Sequence, residues 1–207
     1  MRQLILVHGL WVPGLVMQPL AARLAGAGFR CRTFSYRGRA PGLEAHAERL
    51  ARYARGIGPA SFLGHSLGGL VVLAALEADR AVQVERVVLL GTPARGSAAA
   101  RRLARHAPGR WMLGGSAELL RAHHDARWTR PEPLGVLAGT LPFGLGRVIG
   151  RLPGANDGVV CVEETAVLGM SAQALVHVGH SAMLVSARVA RLVAGFLLDG
   201  HFPADPR

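Results

Sequence analysis

The 207-residue chain is half hydrophobic and carries a formal net charge of +11, since its 24 basic residues are all arginine and only 13 residues are acidic. This length and apolar content predict a single domain, residues 1–207, with its own core, and they exclude a disordered chain. The arginines are scattered without interleaved aromatic residues or a nucleic-acid motif, so we expect no nucleic-acid partner. No apolar run reaches transmembrane length without an interrupting Arg, Gly or Pro.

The two cysteines and the start of the chain indicate a compartment. Cys31 and Cys161 lie outside any CxxC pair, so the sequence indicates no zinc site, and it leaves a disulfide open. Two free, buried thiols are what a reducing compartment favours. The chain runs from Met1-Arg2 straight into a strand pattern, with no room for a cleaved signal segment. We therefore expect a cytoplasmic protein.

Strand and helix patterns alternate along the chain. The predicted core strands are Gln3–Val7, Arg30–Tyr36, Ala60–Gly64, Arg86–Leu90, Leu134–Gly139 and Ala172–Val178, with a short extra strand at Val159–Val162. The predicted helices are 15–27, Leu43–Ile57, Leu67–Ala78, 97–106, 116–124 and Ala182–Leu198, the last capped by Ser181. This alternation predicts an α/β fold, a mostly parallel six-stranded sheet with helices on both faces. Functional residues of such sheets gather beyond the carboxyl ends of the strands.

The third strand leads into Gly64-His65-Ser66-Leu67-Gly68, the Gly-x-Ser-x-Gly pattern of a nucleophile elbow. In that motif a sharp strand-to-helix turn exposes the serine above a parallel sheet. Glycine is needed on both sides because the tight turn brings neighbouring backbone close to positions 64 and 68. The helix that follows directs its positive end at the turn, where an oxyanion would develop. Ser66 is therefore the candidate nucleophile.

A serine nucleophile needs a base, and the base needs an orienting carboxylate. His180 is the candidate base, because it directly follows the last core strand in the loop Val178-Gly179-His180-Ser181. The alternative is that His180 is an ordinary loop histidine. The serine elbow in the same chain makes that interpretation less favoured.

Asp157, in Asn156-Asp157-Gly158, is the candidate acid, since it lies between the fifth core strand and the last. The Asn-Asp-Gly run is also ordinary turn chemistry in its own right. The alternative acids are Glu163, Glu164 and Asp125.

The first strand ends in His8-Gly9-Leu10-Trp11. Gly9 lets the backbone bend so that an N–H group faces the cleft. The backbone N–H groups of Leu10 and Leu67 would then form an oxyanion hole, in which each donor is worth roughly 3 kcal/mol of barrier. Taken alone, the His-Gly pair indicates no more than a strand-to-loop turn.

Taken together, these segments resemble the α/β-hydrolase superfamily, and most of all its small bacterial lipase and esterase branch. The resemblance runs from residue 2 to about 202 and rests on Val7–Leu10, Gly64–Gly69, Gly91–Pro93, Asn156–Val160 and Gly179–Ser181. It implies Ser66 as nucleophile, His180 as base and Asp157 as orienting acid, which is the triad's chain order in this fold. It also implies the oxyanion role of the Leu10 and Leu67 amides. The chain starts at the equivalent of the superfamily's third strand, as compact members do.

The resemblance implies a serine hydrolase that cleaves a carboxylic ester, either a small molecule or a lipid, through an acyl-enzyme. We expect no cofactor and no metal ion. Acyl transfer to another acceptor, thioester hydrolysis, and a hydrolase-fold protein that only binds a lipid or a partner remain alternatives. The residues expected to contact the substrate are Trp11, His65 and Trp111.

Residues 94–133 form a long, arginine-rich connection between the fourth and fifth core strands. This position puts them at the carboxyl-end rim of the sheet, where insertions in the superfamily often cap the pocket, so we expect a small cap over Ser66. The expected wall residues are Trp111, Met112 and Leu113. The outer face of one short helix would carry Arg101, Arg102 and Arg105. Such a face is usually solvated, and it would also suit peripheral contact with an anionic membrane.

Overall fold

The computed structural model describes residues 1–9, 14–36, 42–114, 120, 126–143 and 152–204. The strands in these ranges are β1 (Arg2–Val7), β2 (Phe29–Phe34), β3 (Ala60–His65), β4 (Val84–Leu90), β5 (Leu134–Gly139) and β6 (Ala172–Val176). The α-helices are α1 (Gln18–Gly26), α2 (Leu43–Arg55), α3 (Leu67–Ala78), α4 (Ala98–Leu103), α5 (Ala107–Leu113) and α6 (Ala187–Asp199). Short 3₁₀ helices span Gly14–Met17, Val162–Thr165 and Ser181–Leu184.

The six strands run parallel in one sheet, in the order β2-β1-β3-β4-β5-β6. The expected sheet is therefore present, and every pairing between its six strands is parallel. From β1 the chain first steps outward to β2, then crosses back over β1 to β3 and continues in the opposite direction. This reversal puts a switch point between β1 and β3, the place where ligands enter open α/β sheets.

The two faces of the sheet bury separate apolar layers, because neighbouring residues of a strand point to opposite sides. On one face Ile5 and Val7 of β1 pack with α2 and α3, and on the other Leu4 and Leu6 pack with α1 and α6. All residues of β3 are buried. Helices thus cover both faces, which explains why the central strands are continuous apolar runs.

The insertion at 94–133 is anchored to the domain core. The helix expected at 97–106 is present as α4, and a second short helix, α5, follows it where none was expected. Ser97 caps α4 by accepting the Ala100 N–H at 3.1 Å. The other expected helix, 116–124, lies outside the described residues except for Leu120. Leu113 and Trp128 are buried in the layer formed by α2 and α3.

The last helix begins later than expected. Ser181 starts a 3₁₀ helix, and α6 begins at Ala187 behind Ser186, whose Oγ accepts the Val189 N–H at 3.3 Å. The prediction that Ser181 caps this helix is therefore wrong. In a segment of one turn, a 3₁₀ helix and an α-helix bury apolar residues at much the same positions, so the apolar pattern of the sequence could not distinguish them.

The extra strand expected at Val159–Val162 is also wrong. That segment makes only an isolated bridge between Asn156 and Cys161, and a 3₁₀ helix follows. Its N–H groups bond to two acidic side chains, described below, and to the Ala155 carbonyl, and not to a neighbouring strand. Cys161 and Cys31 are both free thiols, and the first is buried.

Candidate active site

Ser66 lies between β3 and α3 in a strained turn. Its φ is 54° and its ψ −127°, and among the described residues it alone of the non-glycines has a positive φ. Such a conformation costs about 1–3 kcal/mol and persists where the surroundings impose it. Here the Ser66 N–H donates to the Leu90 carbonyl at 2.9 Å, and the Ser66 carbonyl accepts the Gly69 N–H at 3.0 Å. The turn has the backbone geometry of a nucleophile elbow.

Glycine is required on both sides of the serine because α3 packs directly against two strands. A Cβ atom at Gly68 would overlap the carbonyl oxygens of Val7 and His8, at the end of β1. A Cβ atom at Gly64 would lie 2.7 Å from the Gly69 nitrogen. Any larger residue would push α3 away from the sheet, which confirms the reason for these glycines inferred from the sequence.

Asp157 and His180 form a buried hydrogen-bonded pair. Asp157 Oδ2 lies 2.7 Å from His180 Nδ1, and the two side chains are 1% and 9% exposed. The His180 backbone N–H also donates to the Asp157 carbonyl at 2.9 Å. Because Nδ1 donates to the carboxylate, Nε2 of the neutral imidazole carries a lone pair that can accept a proton. This is the arrangement that the predicted roles of His180 as base and Asp157 as orienting acid require.

The loop around Asp157 is organised by its own side chain. Asp157 Oδ1 accepts the N–H groups of Val159 at 2.9 Å and Val160 at 2.7 Å, which leaves Oδ2 for the histidine. The neighbouring Asn156 Oδ1 accepts the Gly158 N–H at 3.0 Å. The turn chemistry of the Asn-Asp-Gly run is therefore present, and it fixes the direction of the carboxylate.

The alternative acids lie in other environments. Glu163 is exposed. Glu164 is buried, but its Oε1 accepts the Ala98 N–H at 2.5 Å and its Oε2 accepts the Cys161 N–H at 2.9 Å. Both oxygens of that carboxylate therefore bind backbone donors. Asp125 lies outside the described residues.

The carboxyl ends of β1 and β4 meet the catalytic candidates. A Cβ atom at Gly91, directly after β4, would lie 3.0 Å from both Asp157 Oδ2 and His180 Nδ1. A Cβ atom at Gly9, beyond β1, would lie 3.0 Å from Ser66 Cβ. The strand ends therefore bring these segments to one edge of the sheet, as parallel topology requires. Sequence reasoning did not assign Gly91 to the site.

His65, expected to contact the substrate, lies beside the base. It is 3% exposed, its Nε2 is 3.2 Å from the His180 carbonyl oxygen, and the two ring centroids are 4.7 Å apart. Burial, with a smaller effect from His180, lowers the pKa of His65 to about 3, so its ring is neutral at neutral pH. Contact with the substrate stays a prediction.

Tyr36 and His8 hold the end of β1, a role that the sequence reasoning missed. The Tyr36 N–H donates to His8 Nε2 at 3.2 Å, and the Tyr36 hydroxyl donates to the His8 carbonyl at 2.8 Å. With Nε2 accepting, His8 Nδ1 donates to the Gly9 carbonyl at 2.9 Å. Burial lowers the pKa of His8 and raises that of Tyr36. The signal in the sequence is a tyrosine just beyond a parallel strand.

The remaining expected site residues are only partly described. Leu67 opens α3, so its N–H belongs to the first turn, where helical N–H groups have no partner inside the helix. Leu10 and Trp11 lie outside the described residues, and the oxyanion hole stays a prediction. Trp111 of α5 is 69% exposed, and the side chain of Met112 is not described.

Within the described residues, no three His, Cys, Asp or Glu side chains come together as a metal site would require. None of the helices described is both long enough and apolar enough to cross a membrane.

The chain matches the family model described as "Alpha/beta hydrolase family" over residues 4–175, which is most of its length. The protein belongs to the alpha/beta hydrolase family. A search of the curated proteins gives no match.

Solved structures that share the fold include bacterial lipases and esterases. The mature form of the Bacillus licheniformis lipase BlEst2 is 19% identical with a TM-score of 0.78, over 95% of this chain and 91% of that one. Its propeptide form, also 19% identical, has a TM-score of 0.81 over 100% of this chain, which spans only 51% of that protein. The esterase RhEst1 from Rhodococcus sp. ECU1013 is 20% identical with a TM-score of 0.65, over 96% and 90%. At these identities the likeness establishes the fold.

Proposed function

We propose that the protein is a serine hydrolase that cleaves carboxylic esters through an acyl-enzyme formed on Ser66. The observation that carries the proposal is the buried Asp157–His180 pair, with 2.7 Å between Oδ2 and Nδ1, on the sheet edge where the strained Ser66 turn also lies. Lipases and esterases among the structures of like fold support the choice of ester over other acyl substrates.

In the first half of the reaction, Ser66 Oγ attacks the ester carbonyl while His180 Nε2 takes the hydroxyl proton. Asp157 keeps Nδ1 protonated and stabilises the imidazolium that forms. The carbonyl oxygen becomes an oxyanion at the start of α3, where the Leu67 N–H and the positive end of the helix favour negative charge. Collapse of this intermediate breaks the bond to the alkoxy group, which leaves as an alcohol with the proton from His180.

In the second half, water attacks the acyl-enzyme carbonyl and gives a proton to His180 Nε2. The second intermediate collapses to free acid, and the proton returns to Ser66 Oγ. Both halves of the reaction use the same base and the same oxyanion position. The enzyme is restored after one turnover because Ser66 Oγ has regained its proton.

The proposal includes a small cap formed by residues 94–133 over the ester-binding cleft. Its support is the way the insertion is tied to the loop of the acid. The Arg95 N–H donates to the Glu164 carbonyl at 2.9 Å, and the Ala98 N–H donates to the Glu164 side chain. A segment held there starts at the carboxyl end of β4, on the edge of the sheet that carries Ser66.

The test combines covalent labelling with turnover. Wild type should be labelled by a fluorophosphonate and should hydrolyse p-nitrophenyl butyrate to free butyrate, whereas Ser66→Ala should do neither. Ser181→Ala is the matched control, because it removes an exposed serine directly after the base, and it should retain both. Labelling without release of free acid would contradict ester hydrolysis and leave acyl transfer or thioester hydrolysis. Labelling that persists in Ser66→Ala would show that Ser66 is not the nucleophile.

A further inference from the structure

The backbone of the base is held at both of its polar groups. The His180 N–H donates to the Asp157 carbonyl at 2.9 Å. The His180 carbonyl lies 3.2 Å from His65 Nε2. One bond comes from the acid and the other from the residue that precedes Ser66 in the chain. The loop of the base is thus joined to the elbow through the His65 side chain.

The partner atom fixes the proton on His65. A carbonyl oxygen can only accept, so Nε2 must be the donor and Nδ1 must carry the lone pair. That Nδ1 is buried without a hydrogen-bond partner among the described residues. It faces the end of β1, where a Cβ atom at Gly9 would lie 3.4 Å away. A buried polar atom left unpaired is costly, so the histidine at this position lowers the stability of the fold.

The charge state of His65 suits a position next to a base. Its titratable neighbours are His180, Asp157 and His8. Burial is the largest effect and lowers the pKa of His65, the charges of His180 and His8 lower it further, and of these three charges only that of Asp157 raises it, so the ring stays neutral. A cation here would oppose the imidazolium that must form on His180 during the reaction. A neutral donor avoids that repulsion while still holding the carbonyl.

We propose that His65 is a positioning residue, whose Nε2–H holds the His180 carbonyl and so sets the place of the base relative to Ser66. This role rests on the proposed function and deepens it. A side chain that only filled space would make the same ring contact, with 4.7 Å between centroids, without needing a donor. The donor is therefore what an experiment must remove.

Two substitutions of similar length separate the donor from the volume. Gln places an amide N–H about as far from the backbone as histidine Nε2, whereas Met matches its length and has no donor. We expect His65→Met to lower kcat for p-nitrophenyl butyrate about tenfold with KM unchanged, the effect of one lost hydrogen bond, and His65→Gln to stay within about threefold of wild type. Equal rates in the two variants would overturn the proposal.

A second measurement does not depend on turnover. We expect the proton between Asp157 and His180 to give a strongly deshielded NMR signal, which should broaden or shift in His65→Met and remain in His65→Gln. If the Met variant does not fold, His65→Asn replaces it, because that amide is polar but too short to reach the carbonyl. An unchanged signal in the variant without the donor would overturn the proposal. The experiment also distinguishes failure of the proposed function from failure of this proposal. If only the proposed function is wrong, wild type hydrolyses no ester, but the NMR difference between His65→Met and His65→Gln remains.

Discussion

Asp157 binds His180 twice, once through the ring and once through the backbone. Its Oδ2 meets Nδ1 at 2.7 Å, and its carbonyl accepts the His180 N–H at 2.9 Å. One residue therefore fixes both the tautomer of the imidazole and the path of the loop that carries it. Only the first of these bonds depends on the carboxylate, so the two can be separated by substitution.

Asp157→Asn should keep the backbone bond and lose the orientation of the ring. The amide nitrogen cannot accept a proton from Nδ1, so the tautomer with its proton on Nε2 becomes favoured and His180 can no longer act as a base. We expect kcat for p-nitrophenyl butyrate to fall about 10³- to 10⁴-fold with little change in KM. The control is Glu163→Gln, which changes an exposed carboxylate. A fall in kcat of similar size in the Glu163→Gln control would show that the acid has been wrongly assigned to Asp157.

Gly91→Ala should damage the site more than the fold. Its Cβ would lie 3.0 Å from both Asp157 Oδ2 and His180 Nδ1, and its φ of 51° disfavours a side chain. We expect kcat to fall at least about tenfold and the unfolding free energy to fall by about 1–2 kcal/mol. Gly58→Ala is the control, since that glycine also has a positive φ but nothing within 4 Å of the added carbon. It should lose stability and keep its activity in steady-state assays.

Glu164→Gln should loosen the connection between the insertion and the acid loop. The carboxylate accepts two backbone N–H groups, from Ala98 and Cys161, and lies 3.6 Å from Arg101. A glutamine can accept with one oxygen only, so one buried donor is left without its partner. We expect urea unfolding to show a loss of about 1–3 kcal/mol. Glu163→Gln should change stability by less than about 0.5 kcal/mol, and an equal loss there would contradict this role.

Stability at acid pH should report on His65. Its pKa is about 3 in the folded protein and near 6.5 when unfolded, so between these values only the unfolded chain holds the proton. Stability therefore falls as pH decreases through this window, by at most about 1.4 kcal/mol per pH unit. His65→Gln should flatten the dependence measured by urea unfolding. The control is His201→Gln, an exposed histidine, and equal flattening there would show that the slope does not come from His65.

The two tryptophans of the insertion should respond differently to truncation. Trp111 is 69% exposed, whereas Trp128 is 6% exposed and donates its Nε1–H to the Glu132 carbonyl at 2.7 Å. Trp111→Ala should raise KM for p-nitrophenyl octanoate severalfold and change stability by less than about 0.5 kcal/mol. Trp128→Ala should lose about 3 kcal/mol or more. An unchanged KM for every chain length in Trp111→Ala would remove that residue from the proposed substrate contacts.

The sheet and the elbow could be predicted from the sequence because their signals are local. The run Ala60–Gly64 followed by Gly-x-Ser-x-Gly specifies strand, turn and helix in neighbouring residues. The rule that parallel strands end at one edge then places the segments of Ser66, Asp157 and His180 together without any knowledge of their contacts.

The contacts within the site could not be predicted, because they depend on packing between distant segments. No pattern near His65 indicates that its ring reaches the carbonyl of His180, and no pattern near Gly91 indicates which side chains lie against it. The same limit applies to Glu164, which looks like an alternative acid in the sequence and proves to bind backbone N–H groups. Local spacing likewise could not show that α6 begins at Ala187.

The strand order also sets when the enzyme becomes competent. His65 and His180 are 115 residues apart, and the loop of His180 follows β6, which joins the sheet by pairing with β5, which in turn pairs with β4. The elbow is therefore synthesised well before the base. Under the proposed function, an ester meets a reactive nucleophile only after the last strand has joined, so the recovery of fluorophosphonate labelling during refolding should measure completion of the sheet and should trail the slow long-range pairings.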